Sequence, residues 1–244
     1  MLRINVEFAA LDRGRLGGQI LMVTSAHAGE GKSTTIANLA IAFANAGRRT
    51  ILVDLDFRNS SMEKLFGLEG EPGVTDVVSG DVSLEYALIR DSSTPDNILA
   101  PEGRGVADNH LWILPSGSVN PVDSGAARRL PDLLRALSER ADIVLIDAPP
   151  LLVAGDAIAL TAHVDGIMVV TRANLNRAAT LDELRRVLEV APAVKLGFIL
   201  VGSKDVNGHY EGSSVPAATT NGFASAQHRG PDIDAQWKTE GAPR

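Results

Sequence analysis

Gln19-Ile20-Leu21-Met22-Val23-Thr24-Ser25 is an apolar run that leads into Ala26-His27-Ala28-Gly29-Glu30-Gly31-Lys32-Ser33. Thr34-Thr35-Ile36-Ala37-Asn38-Leu39-Ala40 then follows with helical character. A strand, a glycine-bearing loop ending in Gly-Lys-Ser, and a helix make a phosphate-binding P-loop in the context that confirms one. The match is Ala26-x-x-x-x-Gly31-Lys32-Ser33, with Ala where the pattern's first Gly stands. Gly29 and Gly31 let backbone N–H groups converge on phosphate oxygens, and the helix N-terminus favours negative charge there. The expected nucleotide-binding residues are therefore Ala28, Gly29, Glu30, Gly31, Lys32, Ser33 and Thr34. Lys32 is expected to reach the β- and γ-phosphates of ATP, and the Ser33 hydroxyl to bind Mg²⁺.

Two acidic strand ends complete the picture. Val53-Asp54-Leu55-Asp56 closes a second apolar run, and alternation points both carboxylates to one side. Two adjacent carboxylates are costly, so both are expected to face a cation or solvent. In an open α/β sheet, ligands bind outside the carboxyl ends of the strands, which is where this pair falls. Asp147 ends Ile143-Val144-Leu145-Ile146, the place of the acidic residue that holds the Mg²⁺ shell in P-loop proteins. Lys32, Asp54, Asp56 and Asp147 are the candidate catalytic residues, and Ser33, Asp54 and Asp147 the candidate metal ligands.

Apolar runs recur at 19–25, 50–54, 111–114, 142–147, 166–171 and 196–202. Helical spacing lies between most of them. Ile36, Leu39, Ala40 and Phe43 share a face in 32–47, with Gly47 as a stop. Leu130, Leu133, Leu134 and Leu137 form a stripe in 126–140, leaving Arg128, Arg129, Arg135 and Arg140 for solvent; Leu181, Leu184, Val187 and Leu188 do the same in 176–190. Strands without polar alternation, separated by amphipathic helices, predict an α/β fold with a mostly parallel, doubly wound sheet. The expected organisation is an N-terminal contact segment (1–18), one P-loop domain (19–203) and a flexible tail (204–244). The tail is rich in Gly, Ser, Thr, Ala and Pro and poor in large apolar residues. Residues 91–110 read as a long surface loop.

The chain has 244 residues, 45% of them hydrophobic and only 4% aromatic, so aliphatic side chains must fill the core. It has no cysteine, hence no disulfide, thiolate metal site or thiol nucleophile. A net charge of −7 argues against a general electrostatic grip on nucleic acid. No apolar run approaches the roughly 20 residues of a membrane span, so a cytoplasmic location is expected.

With the three segments in this order, the chain resembles the bacterial tyrosine kinase family, P-loop proteins that form the cytoplasmic part of polysaccharide co-polymerases. Asp54-Leu55-Asp56-Phe57-Arg58 looks like the family's additional Walker-type element, and Asp147-Ala148-Pro149-Pro150 like its Asp-Thr-Pro-Pro. Asp156-Ala157 looks like its helix-opening pair. Leu114-Pro115-Ser116-Gly117 with Asn120-Pro121 is similar to a further family segment. The resemblance implies an ATP-dependent protein-tyrosine kinase that acts between subunits of a ring and regulates capsular or exopolysaccharide synthesis. It also implies a membrane co-polymerase partner that holds the domain at the inner face of the membrane.

Three departures shape that expectation. Relatives end in a tyrosine cluster, whereas this tail carries Tyr210 alone as the candidate phosphoacceptor; the other tyrosine, Tyr86, lies in an expected helix. Only the last arginine of the family's Glu-x-x-Arg-x-x-Arg contact motif is present, as Arg3. Gly202 stands where relatives often have Asn, at the base contact. Two rival readings remain: an ATP-hydrolysing assembly switch without tyrosine kinase activity, and a Min/Par-type positioning ATPase. The latter wants a signature lysine where this loop has His27.

Overall fold

The computed structural model describes residues 2–10, 18–59, 61–90, 110–117 and 126–202. The helix α1 (Leu2–Ala10) precedes β1 (Gln19–Ser25), α2 (Lys32–Ala44) and β2 (Thr50–Asp54). Three short helices follow, α3 (Ser61–Phe66), α4 (Val74–Ser79) and α5 (Leu84–Ala87), and then β3 (Ile89–Arg90) and β4 (Leu111–Leu114). The chain continues through α6 (Ala126–Arg140), β5 (Ile143–Asp147), α7 (Gly155–Leu160) and a 3-10 turn (Thr161–His163). It closes on β6 (Gly166–Arg172), α8 (Ala178–Val190) and β7 (Val194–Val201).

These strands form one seven-stranded sheet in the order β3-β4-β2-β5-β1-β6-β7. Every pairing is parallel except β3 with β4. The sheet is the doubly wound one expected, and the strand period of two divides its core cleanly. Ile20, Met22, Ile51, Val53, Val144, Ile146, Ile167 and Val169 face a layer that includes α4, α6, α7 and α8. Leu21, Val23, Leu52, Ile143, Leu145, Met168 and Val170 face the opposite layer, with α1, α2 and Met62 of α3. Asp54 has the parity of Leu52, and Asp147 that of Leu145. Both carboxylates therefore emerge on the α2 side.

The expected apolar face of α2 is buried, and so are Ala37 and Ile41. The reason is α1, which packs against α2 and β7 and covers a flank that period alone assigns to solvent. Gly47, at φ 78°, ends the turn after α2 as expected.

Two expectations need correction: Leu181, read as part of the apolar stripe of α8, is exposed, and Arg140 is not left to solvent. Arg140 is half-buried instead of solvated: it pairs with Glu85 at 2.8 Å and donates to the Ala136 carbonyl. Arg129 stays exposed as expected, and its guanidinium also donates to the Val78 carbonyl of α4 at 3.0 Å. The expected loop over 91–109, the Asn120-Pro121 pair and the tail with Tyr210 lie outside the described residues. No helix among the described residues is long and apolar enough to cross a membrane.

Candidate active site

The P-loop turn is built on two glycines in the left-handed region, Gly29 (φ 82°) and Gly31 (φ 88°). Residues with a β-carbon rarely adopt that region. A β-carbon at Gly31 would lie in contact with Val201 of β7, 3.4 Å away, so the positive φ is the stronger constraint. The turn hands over directly to α2, whose first residue is Lys32. The Thr35 amide and hydroxyl both donate to the Gly31 carbonyl, closing the first helical turn.

Lys32 is buried, and its ammonium lies between two carboxylates. It is 2.5 Å from Asp147 Oδ1 and 3.1 Å from Asp56 Oδ2. Burial on its own would lower the Lys32 pKa, but Asp147 and Asp56 more than reverse this and hold it raised. The Ser33 hydroxyl is 3.5 Å from the same ammonium and accepts a 3.0 Å hydrogen bond from Ser61, the first residue of α3.

Asp54 behaves differently from its neighbour. The two carboxylates do point to one side as expected, but Asp54 is fully buried and forms no ion pair among the described residues. Its Oδ1 accepts the Asp56 amide at 2.9 Å, and its Oδ2 has no hydrogen-bond partner. Burial, reinforced by the charge of Asp147, pushes its carboxyl up to about 8. The expectation that both Asp54 and Asp56 face a cation or solvent thus holds for Asp56 alone: the Lys32 ammonium bonds to Asp56 and Asp147, while Asp54 is enclosed by the protein. Asp147 also has a buried Oδ2 without a partner, and burial outweighs Lys32 to raise its pKa.

Asp147 is fixed from below. The Ala148 amide bonds to the Val23 carbonyl, the Leu151 amide to Ser25, and the Thr24 hydroxyl to the Pro149 carbonyl at 2.8 Å. The Leu55 amide bonds to the Asp147 carbonyl, so the two acidic strand ends are tied through backbone as well. A hydroxyl and two orphaned carboxylate oxygens make an all-oxygen donor set. This fits Mg²⁺, a hard cation bound by one or two carboxylates plus phosphates and waters.

Ala28 and Gly29 are exposed at the mouth of the loop, and Thr34 is exposed on the first turn of α2. Glu30 is the exception among the expected loop residues: its carboxylate turns into the protein. Ser61, and behind it the Ser116 hydroxyl on Glu63 at 2.6 Å, are partners that sequence reasoning missed. The serine of Leu114-Pro115-Ser116-Gly117 was visible, but its contact with α3 was not.

Comparison with known proteins places this geometry. The AAA domain family matches residues 18–191. The tyrosine-protein kinase YwqD of Bacillus subtilis is 31% identical over 205 residues, covering 83% of this chain and 79% of the relative. The chain belongs to the bacterial tyrosine kinase family. Among solved structures of similar fold, the chimerical protein CapA2B2 superposes with a TM-score of 0.69 at 26% identity, covering 82% of this chain and 80% of that one. The septum site-determining protein MinD of Pyrococcus horikoshii, solved with Mg-ADP, follows at a TM-score of 0.59 and 26% identity, covering 75% and 70%. Membership in this P-loop kinase family implies nucleotide binding.

Proposed function

We propose that this chain is an ATP-dependent protein-tyrosine kinase acting between subunits, with Tyr210 as its principal acceptor. The observation that carries the reading is the Lys32 ammonium held between Asp147 and Asp56, beside Ser33. Those carboxylates hold the cation that phosphates would claim. When ATP enters, the loop amides take its phosphates and Lys32 moves its charge onto the β- and γ-oxygens. That move releases Asp56 from its ion pair at the moment a proton acceptor is needed.

The tyrosine oxygen attacks the γ-phosphorus, the bond from that phosphorus to the bridging oxygen breaks, and ADP departs. The phenolic proton passes to Asp56, since a hydroxyl with a pKa near 10 is a poor nucleophile unless its proton is received. Ser33, Asp54 and Asp147 would hold Mg²⁺, which supplies charge neutralisation at the β,γ-phosphates. By family resemblance the activity regulates capsular or exopolysaccharide synthesis, through a membrane co-polymerase partner and a ring of like subunits.

A second reading is favoured by a specific count: the chain has two tyrosines, with one in the tail. It is an assembly switch that hydrolyses ATP without labelling protein. Incubation with γ-labelled ATP separates the two. Label on tyrosine that is lost in Tyr210→Phe supports the kinase, and release of free phosphate from an unlabelled protein supports the switch. Label retained in Tyr210→Phe and lost in Tyr86→Phe would move the acceptor to α5.

A further inference from the structure

Glu30 lies in the middle of the P-loop, yet its side chain is only 1% exposed and is turned onto the segment between β6 and α8. Three N–H groups converge on it. The His27 amide donates to Oε1 at 2.7 Å, across the loop itself. The Arg172 amide (3.2 Å) and Asn176 Nδ2 (2.7 Å) donate to Oε2 from the turn between β6 and α8. Asn176 also reaches the Thr171 hydroxyl at 3.0 Å, and Asn174 in the same turn adopts a left-handed φ of 62°. The carboxylate thus binds two segments more than 140 residues apart in sequence.

We propose that Glu30 is a positioning residue that clamps the P-loop to the β6–α8 turn, through Asn176, and so holds the loop amides ready for phosphate. The inference rests on the nucleotide-binding part of the function proposed above. Its physical basis is preorganisation. A glycine-rich loop must lose conformational freedom to point several N–H groups at one anion, and a loop already fixed on its inner side loses less. A carboxylate suits the place because it offers only acceptors to three donors, and hydrogen bonds to an ionised group are the stronger kind. A glutamine would retain one acceptor oxygen and set an NH₂ group against an N–H.

The clamp acts on the loop that cradles the β-phosphate, so its loss should weaken ATP and ADP alike. The test titrates ATP and ADP, each with Mg²⁺, into the full chain and into Glu30→Gln, Asn176→Asp and the double variant, and compares KM with kcat for ATP turnover. Glu30→Gln and Asn176→Asp are each expected to weaken both nucleotides about tenfold, with the loss larger in KM than in kcat. In the double variant, the glutamine amide can donate to the new carboxylate. It should recover at least about threefold over Asn176→Asp alone. Binding of both nucleotides within about twofold of wild type in either single variant overturns the proposal, as does weakening of ATP alone. If Glu30→Gln does not fold, Asn176→Asp against Asn176→Ala decides. The clamp requires Asp to be worse, by carboxylate repulsion, and equal losses overturn it. A wild-type chain that binds neither nucleotide refutes the nucleotide reading itself, a result distinct from all of these.

Discussion

Asp54 and Asp147 are register partners on adjacent parallel strands, both buried, and each keeps one carboxylate oxygen without a hydrogen-bond partner. Two such oxygens side by side are a costly arrangement in a nucleotide-free protein. The cost would fall on approach of a divalent cation, which supports the proposed Mg²⁺ role of the pair.

The Asp54 carboxyl, raised to about 8, makes that role depend on pH. At pH 7 roughly a tenth of the molecules carry it ionised. A metal must displace the remaining proton, so Mg²⁺ affinity should rise with pH, by at most about tenfold per unit, and level off above pH 8. Calorimetry of Mg·ATP binding in buffers of different ionisation enthalpy should detect proton release at pH 7 and less of it at pH 9. Stability runs the other way. A folded-state pKa above the unfolded value of 3.8 means folding favours the protonated form. The Asp54 contribution is intact below pH 4 and is lost as pH climbs from there towards 8. Asp54→Asn, neutral throughout, should abolish activity yet raise Tm relative to wild type, by roughly 2–4 °C or more at pH 8 and by much less at pH 5. A Tm difference that does not change with pH would contradict the assignment.

Much of this site was legible in the sequence because its parts are local. The strand, the loop glycines and the start of α2 are contiguous, and each acidic residue ends an unbroken apolar run. The unseen parts are those that depend on distance. Nothing near Glu30 points to Asn176, which becomes its neighbour only through the β1–β6 pairing. Nothing near Asp54 shows that Asp56 would take the Lys32 ammonium and leave it alone. The helices α3 and α4 are six residues each, too short to display a helical period, and β3 has two residues held against β4 by tertiary context. Local pattern identified the chemistry; long-range packing set the protonation.

The segment after β4 offers a test of the scaffold. Gly73, which opens α4, packs so closely that a β-carbon there would lie 2.1 Å from the Pro115 carbonyl oxygen. Gly117, at φ 93°, would place one 2.3 Å from the Thr75 hydroxyl and 2.4 Å from Asp76. These contacts hold Ser116 against Glu63 of α3, whose Ser61 touches Ser33. Gly73→Ala should cost about 3 kcal/mol in denaturant unfolding, by overpacking against backbone that cannot yield. Gly70→Ala is the contrast: unlike the extended Gly73 it is left-handed, at φ 83°, but open space surrounds it, so it should cost only about 1 kcal/mol.

Lys32→Met should do two things that can be measured separately. Phosphoryl transfer should fall at least about a thousandfold, because Lys32 is the charge that the P-loop presents to the β- and γ-phosphates. Stability of the nucleotide-free protein should also fall, since Asp147 and Asp56 lose the ammonium that both contact. Breaking a buried pair costs about 3–5 kcal/mol when the partner stays charged. Asp147, whose pKa burial already raises, can escape that cost by taking up a proton, so the destabilisation should be large at pH 8 and shrink as pH falls to 5. Combining Lys32→Met with Asp147→Asn removes a charge of each sign from the pair and should restore part of the lost stability at pH 8 without restoring activity. If the double variant is as unstable as the sum of its parts, the ion pair is not what Lys32 contributes to the free fold.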